Sequence, residues 1–489
     1  MLNVNGNILL CDNYFVDESK STATKILHQP KKEEKILTLN KAWEGDGCGF
    51  FHIVKCENFY RMYYNARGAY KITEHNNRIR IAVLESQDGL KWKRITGKND
   101  YVKGFEENNV IVDNLGYAID NFIIFYDKNP ACKEDERFKA LSMNFQYKEY
   151  TELLSYKSKD GINFEKSGSL FGKIFYTEEQ YRNDVLMFDT MNICFFDKSI
   201  NKYMLFLRGF HDIPSTDNPA GFDADRNLGV RDIRYSESED FINWSTPVRL
   251  KYDTEEYALY TNQIIKYYNA ENIYLGFPTR YTERKQWGDS FDELCGKRYR
   301  KAKMKLDKRL GLAITDCLFM SSHDCLNWNK FDEAFITSAE EQAHEWCYGS
   351  CYPCYNFIET KRKGMDSELS MYMGVGCDCY SPVELYRYSL RIDGFVSRYG
   401  DFGGKIVKSK EFVFDAEQIK INFATSAAGY IQLKITSDDG LTAISEQHFG
   451  DKIDRKINFN KSLNCFKGKK CVMEIFLKDA HIYSINFCN

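Results

Sequence analysis

Long apolar runs are missing from this chain. No stretch of about 18 consecutive apolar residues occurs in its 489, so no helical membrane span is expected. An export signal is missing as well: the N-terminus, MLNVNGNILLCDNYF, has no basic start followed by an apolar run. Charge of one sign is also lacking. The formal net charge is -3 with 28% of residues charged and the signs interspersed, which argues against nucleic-acid and membrane partners. Helical periodicity is nearly absent, and EEQYRND (178–184) is the one stretch that shows some. No P-loop, dinucleotide fingerprint, GxSxG or HExxH occurs, which removes several common enzyme classes.

What is abundant is aromatic: 33 Tyr, 35 Phe and 6 Trp. Such residues suit strands and also suit surfaces that stack on sugar rings. Apolar residues make up 43% of a chain longer than one typical domain, enough to bury sizeable cores. The 16 cysteines sit mostly in apolar strand-like runs, such as those of Cys194, Cys317, Cys471 and Cys488. There a reduced thiol behaves as a small hydrophobe. Without an export signal, the expected location is the cytoplasm. The cluster HEWCYGSCYPC (344–354), with CDC (377–379), has a Cys-x3-Cys-x2-Cys spacing that is no standard zinc finger. It reads as a metal-free thiol cluster, and no cofactor is expected.

Internal repetition organises the chain. A Ser-x-Asp turn closed by an aromatic recurs at SQDGLKW (86–92), SKDGINF (158–164), SEDFINW (238–244) and SHDCLNW (322–328), with an altered copy at RIDGFVS (391–397). Ser and Asp hydrogen-bond their own backbone, and Gly takes a positive φ. Ahead of each turn lies a series of β-branched and aromatic segments. The first of each series reads GFFHIVK (49–55), NNVIVDN (108–114), MNICFFD (191–197), TNQIIKYY (261–268) and YPCYNFI (352–358). Five such units fit an all-β fold, a five-bladed β-propeller over residues 41–404. Residues 1–40 read as an entry strand and polar linker. From about 405 to 489, period-two alternation in 420–440 and 469–487 predicts a C-terminal β-sandwich.

In a propeller, the starts of the inner strands and the loops from second to third strands meet at one face. Residues just before the inner strands are therefore the site candidates: Trp43, Glu44 and Asp46; Glu106, Glu107 and Asn108; Asp184 and Asp189; Tyr260 and Asn262; His344, Glu345 and Trp346. Glycosidic bond cleavage needs two carboxyl groups, and neighbouring carboxylates raise the pKa of the one that donates a proton. Glu44, Asp46, Asp189 and Glu345 are the candidate acids. Arg67, Arg208 and Arg280 follow second strands on the same face and suit sugar hydroxyls or an anionic group. Two long connections, 209–229 and 279–309, are expected to wall the pocket, with Trp287 as a stacking platform.

The blades, AWEGDG before the first, FDTMNICFFD in the third, the RDIRYSESEDFINW turn and the LYTN…YLGFP…RY blade resemble the five-bladed propeller glycoside hydrolases related to invertases and arabinanases. The likeness is greatest to the branch whose chain ends in a sandwich carrying a TSAxG segment, here Thr425–Gly429. It implies a glycosidase acting on an oligosaccharide, with Glu44 or Asp46 as the blade-one acid and Asp189 as the central one. Invertase-type Asn-Asp-Pro-Asn, Arg-Asp-Pro and Glu-Cys signatures are absent. Two rival readings remain: a glycoside phosphorylase or transglycosylase on the same fold, and a non-catalytic carbohydrate-binding propeller.

Overall fold

The computed structural model describes residues 1–97, 101–113, 119–146, 150–175, 184–211, 230–338, 340 and 345–489. It is built almost wholly of strands, arranged as a five-bladed β-propeller and a C-terminal sheet domain. Blade one runs outward through Gly49–Lys55, Tyr60–Ala66, Arg80–Ser86 and Lys93–Arg94. Blade two is Ile123–Tyr126, Phe138–Gln146, Tyr150–Ser158 and Glu165–Phe175. Blade three is Ile193–Asp197, Lys202–His211, Val230–Ser238 and Val248–Arg249. Blade four runs from Ile265–Lys266 through Tyr274–Gly276 and Met320–Ser322 to Asn327–Lys330, with a side hairpin of Thr279–Glu283 and Ala313–Cys317.

The recurring turn works as its residues require. Ser86 Oγ accepts the Gly89 N–H at 2.8 Å, and Asp88 accepts those of Leu90 and Lys91 at 2.8 and 2.9 Å. Trp92 Nε1 donates to the Gly89 carbonyl at 3.0 Å. The later copies repeat the Ser and Asp bonds. In the third and fourth, Phe241 and Cys325 replace glycine yet hold φ at 66°. Each accepts roughly 1–2 kcal/mol of backbone strain there. The turns also join blades: Tyr63 of blade one donates to the Gly161 carbonyl of blade two at 3.0 Å, and Tyr372 of blade five donates to that of Gly89.

Two sequence expectations change. NNVIVDN is not the inner strand of blade two. Val110–Val112 pairs with Ile81 and Ala82 at the margin of blade one, and blade two begins at Ile123. The N-terminal segment is not a linker either. Lys31–Thr38 pairs with Glu384–Arg391 as the outermost strand of blade five, after Ile358–Thr360 and Glu368–Val375. Buried Arg387 fixes this closure by ion pairs to Glu34 at 3.0 Å and Glu368 at 2.8 Å.

The rest of the N-terminus joins the C-terminal sheet. Gly6–Leu9 pairs with Cys471–Cys488, and Thr24–Leu27 pairs with Val396–Gly400. Two long strands, Gln418–Ser437 and Cys471–Cys488, pair along their length, with a register break between Thr425 and Tyr430 where TSAAG sits. Their alternate residues, Ile419, Ile421, Ile431, Leu433 and Ile435 against Met473, Ile475, Leu477, Ile485 and Phe487, form one buried cluster. Such half-buried alternation pins the register, because a one-residue slip would expose the whole set.

Candidate active site

Equivalent positions just ahead of the first three inner strands carry Asp46, Asp120 and Asp189. Asp120 accepts the Asn121 backbone N–H at 2.9 Å and the Asn65 amide at 3.2 Å. Asn121 in turn donates to Asp189 Oδ1 at 3.3 Å. Asn121 thus stands between the two acids, and its backbone takes φ 56°, a left-handed conformation that Asn tolerates better than most residues. Both residues are half-buried. Burial, then the Asp189 charge, pushes Asp120 up to about 6 from its ordinary 3.8.

Asp46 is used differently. It accepts the backbone N–H groups of Ala69, Tyr70 and Lys71 at 2.9 to 3.4 Å, anchoring the loop that carries Arg67. Arg67 donates through Nε to the Gly47 carbonyl at 2.9 Å, and its Nη2 lies 3.7 Å from Asp378. It also acts electrostatically on Asp120. Burial pushes Asp378 up, against the pull of Arg67 and Lys303.

Tyrosines line the remainder. Tyr70 stacks on Tyr380 with centroids 4.8 Å apart, and Tyr260 stacks on Tyr352 at 5.3 Å. The Tyr348 hydroxyl donates to that of Tyr260 at 2.7 Å. All five rings are half-exposed. Buried Arg208 lies 4.6 Å from the Tyr260 ring centroid and donates to the Tyr260 carbonyl. Asp189 acts electrostatically on Arg208 and Tyr260, and Asp378 on Arg67 and Tyr70, so acids, cations and rings belong to one pit.

The long connection 284–312 folds into short helices Asp289–Glu293, Lys297–Lys303 and Arg309–Leu312 and sits against this pit. Lys303 Nζ is 5.0 Å from the Tyr70 centroid, and Arg309 is 5.3 Å from that of Tyr348. Trp287 is half-exposed but already stacked on Phe291 at 5.2 Å. The other expected wall, 212–229, lies outside the described residues, as do His344 and the stretch 178–183; Asp184 is described only in its backbone.

Several sequence candidates have structural duties instead. Glu44 is fully buried and ion-paired to Arg94 at 2.7 Å, with the Tyr64 hydroxyl donating to it. Trp43 donates to Asn109 at 2.8 Å. Asn108 closes a turn through Val110 N–H and the Phe105 carbonyl, and Glu106 and Glu107 are exposed beside it. They sit at the blade-one margin because the blade-two start was misplaced. Asn262 donates to the Met191 carbonyl at 3.1 Å. Arg280 makes a bidentate pair with Asp316 at 2.9 and 2.6 Å. Glu345, pushed up to about 7 by burial, has its carboxyl 3.9 Å from Lys32. No contact joins it to Asp120 or Asp189 among the described residues. Trp346 follows it, half-exposed, at φ 57°.

Sequence reasoning found Tyr260 but missed Asp120, Asp378 and the other tyrosines. Turn spacing signals Asp120: Gly49 lies 37 residues before its turn Ser86, and Ile123 lies 35 before Ser158, whereas Asn108 lies 50 before it. Among the described residues, no three His, Cys, Asp or Glu side chains are placed to hold a metal ion.

No family model matches the chain, and no curated protein matches it. Solved structures do. A Bombyx mori GH32 β-fructofuranosidase matches at TM-score 0.41 and 7% identity, over 94% of each chain. A thermostable family-43 glycoside hydrolase matches at 0.40 and 14%, over 72% of this chain and 92% of its own. An N-acetylgalactosamine deacetylase from F. plautii matches at 0.41 and 10%, over 75% and 96%. Similarity this low assigns no activity to the chain, and the chemistry rests on its own residues.

Proposed function

We propose that the protein is a glycoside hydrolase whose two acids are Asp120 and Asp189. The observation that carries the reading is the pair itself: two half-buried acids at the inner-strand starts of adjacent blades, bridged by Asn121, with Asp120 raised by burial and by Asp189. A carboxyl that titrates near 6 holds a proton at mildly acid pH and can pass it to a leaving sugar oxygen. The second carboxylate then serves as base or nucleophile at the anomeric carbon. Arg67 and Asn65 beside Asp120 suit sugar hydroxyls, and the Tyr70–Tyr380 and Tyr260–Tyr352 pairs offer flat faces to sugar rings.

The test is a panel of aryl glycosides and plant or microbial oligosaccharides, run with wild type, D120N and D189N. Turnover by wild type that both variants lose supports the reading. Sugar binding without turnover on every substrate would make the propeller a binding module.

One observation favours a second reading. Among the described residues, the buried Arg208 guanidinium has a backbone carbonyl as its only hydrogen-bond acceptor and no carboxylate within 4 Å. Phosphate would pair with it well, which points to phosphorolysis in place of hydrolysis. Turnover that requires inorganic phosphate and releases a glycosyl phosphate would establish that alternative.

A further inference from the structure

Two cysteines at the pit stand apart from the rest. Cys347 and Cys379 are both buried, and their sulfurs are 3.4 Å apart. A disulfide needs about 2.05 Å, so closing the gap takes only a small side-chain movement. Cys347 also lies 3.4 Å from Ser350 Oγ, and the Cys379 thiol faces the Cys377 carbonyl at 3.2 Å.

The surroundings favour a thiolate. The Cys379 hydrogen bond, and after it the Lys303 and Arg300 charges, hold the Cys347 thiol below its usual range despite burial. Lys303 itself is buried, with no hydrogen-bond acceptor for its ammonium among the described residues. A negative sulfur nearby compensates that charge. Other buried thiols, Cys194, Cys317 and Cys354, are instead pushed well up by burial. Low-pKa thiols beside a second cysteine are the ones that exchange.

We propose that Cys347 and Cys379 form a thiol–disulfide exchange site, oxidised to an intramolecular disulfide by a low-molecular-weight disulfide of the glutathione type. The Cys347 thiolate attacks one sulfur of that disulfide and expels a thiolate, which takes a proton from solvent. Cys379, losing its proton to solvent, then attacks the Cys347 sulfur of the mixed disulfide and expels the second thiol. Two electrons pass from the protein pair to the small disulfide, which leaves as two thiols. The new bond would tie the segment bearing Tyr348 and Tyr352 to the blade-five loop bearing Asp378 and Tyr380, the two sides of the pit. The exposed Cys295 and Cys465 of the same chain act as internal controls.

The experiment equilibrates the full chain in graded mixtures of reduced and oxidised glutathione near neutral pH. After acid quenching, remaining thiols are alkylated and unreduced peptides are mapped by mass spectrometry. The expected result is a Cys347–Cys379 linked peptide that becomes the dominant form of both residues while most of Cys295 is still a free thiol. C379S should leave Cys347 carrying glutathione under the same conditions. Both residues recovered as free thiols in wild type, in mixtures where Cys295 is glutathionylated, would overturn the proposal. Should C379S fail to fold, the wild-type map decides alone.

Discussion

Blade one and blades two and three place aspartates at the same point of the repeat and make opposite use of them. At the mouth of blade one, Asp46 is saturated by three backbone N–H groups, and nearby Glu44 is spent on Arg94 and Tyr64. At the mouth of blades two and three, Asp120 and Asp189 face each other across one amide, and their charges repel. Position in the fold decides which acids can reach the axis. The number of donors around each decides whether it holds a loop or remains reactive.

The sharpest test of that contrast is activity. D120N and D189N should each lower kcat/KM by roughly 10²- to 10⁴-fold without lowering the thermal midpoint below that of wild type. Equal losses from E44Q would erase the distinction between the two mouths. Stability should show the reverse. E44A leaves Arg94 without its buried partner and should cost about 3–5 kcal/mol in urea unfolding, an effect absent from D189N.

A third test uses pH. Asp120 rises from 3.8 to about 6 on folding, so its contribution is present below about pH 4 and is lost as pH climbs through 6. D120N removes the penalty of ionising it. Its melting temperature should match wild type in acid and exceed it increasingly toward neutral pH, by on the order of 2 kcal/mol. No pH-dependent difference would mean that Asp189 does not repel Asp120. The smallest effect is expected from D46N, which weakens charge-assisted bonds to the 69–71 loop and should cost about 1–2 kcal/mol. If the loop positions Arg67 for substrate, KM should rise more than kcat falls.

Much of this architecture is legible in the sequence. The Ser-x-Asp turns count the blades because each closes by bonds within seven residues, and the alternation in 420–437 reveals its buried face directly. What escapes is whatever depends on distant partners. QPKKEEK reads as a polar linker because buried Arg387, the partner of its Glu34, lies 353 residues away in the chain. Glu44 reads as reactive because nothing local reveals Arg94 as its partner. Asp120 was hidden by an apolar run, VIV, that resembles an inner strand yet lies flat against blade one. Turn-to-strand spacing matches in blades one and two, 37 and 35 residues, but longer connections stretch it to 45 and 57 in blades three and four, so spacing alone is a weak signal.

The ring is fastened by its own leading end, which sets an order of events during synthesis. Lys31–Thr38 cannot find its neighbour until Arg391 has emerged, and Gly6–Leu9 waits for Cys471–Cys488. At 5–20 residues per second, those early strands spend roughly 20 seconds to a minute and a half with unpaired edges. The lysine-rich, alternating-charge makeup of KKEEK serves as insulation for that interval, keeping the waiting strand soluble until the ring can shut.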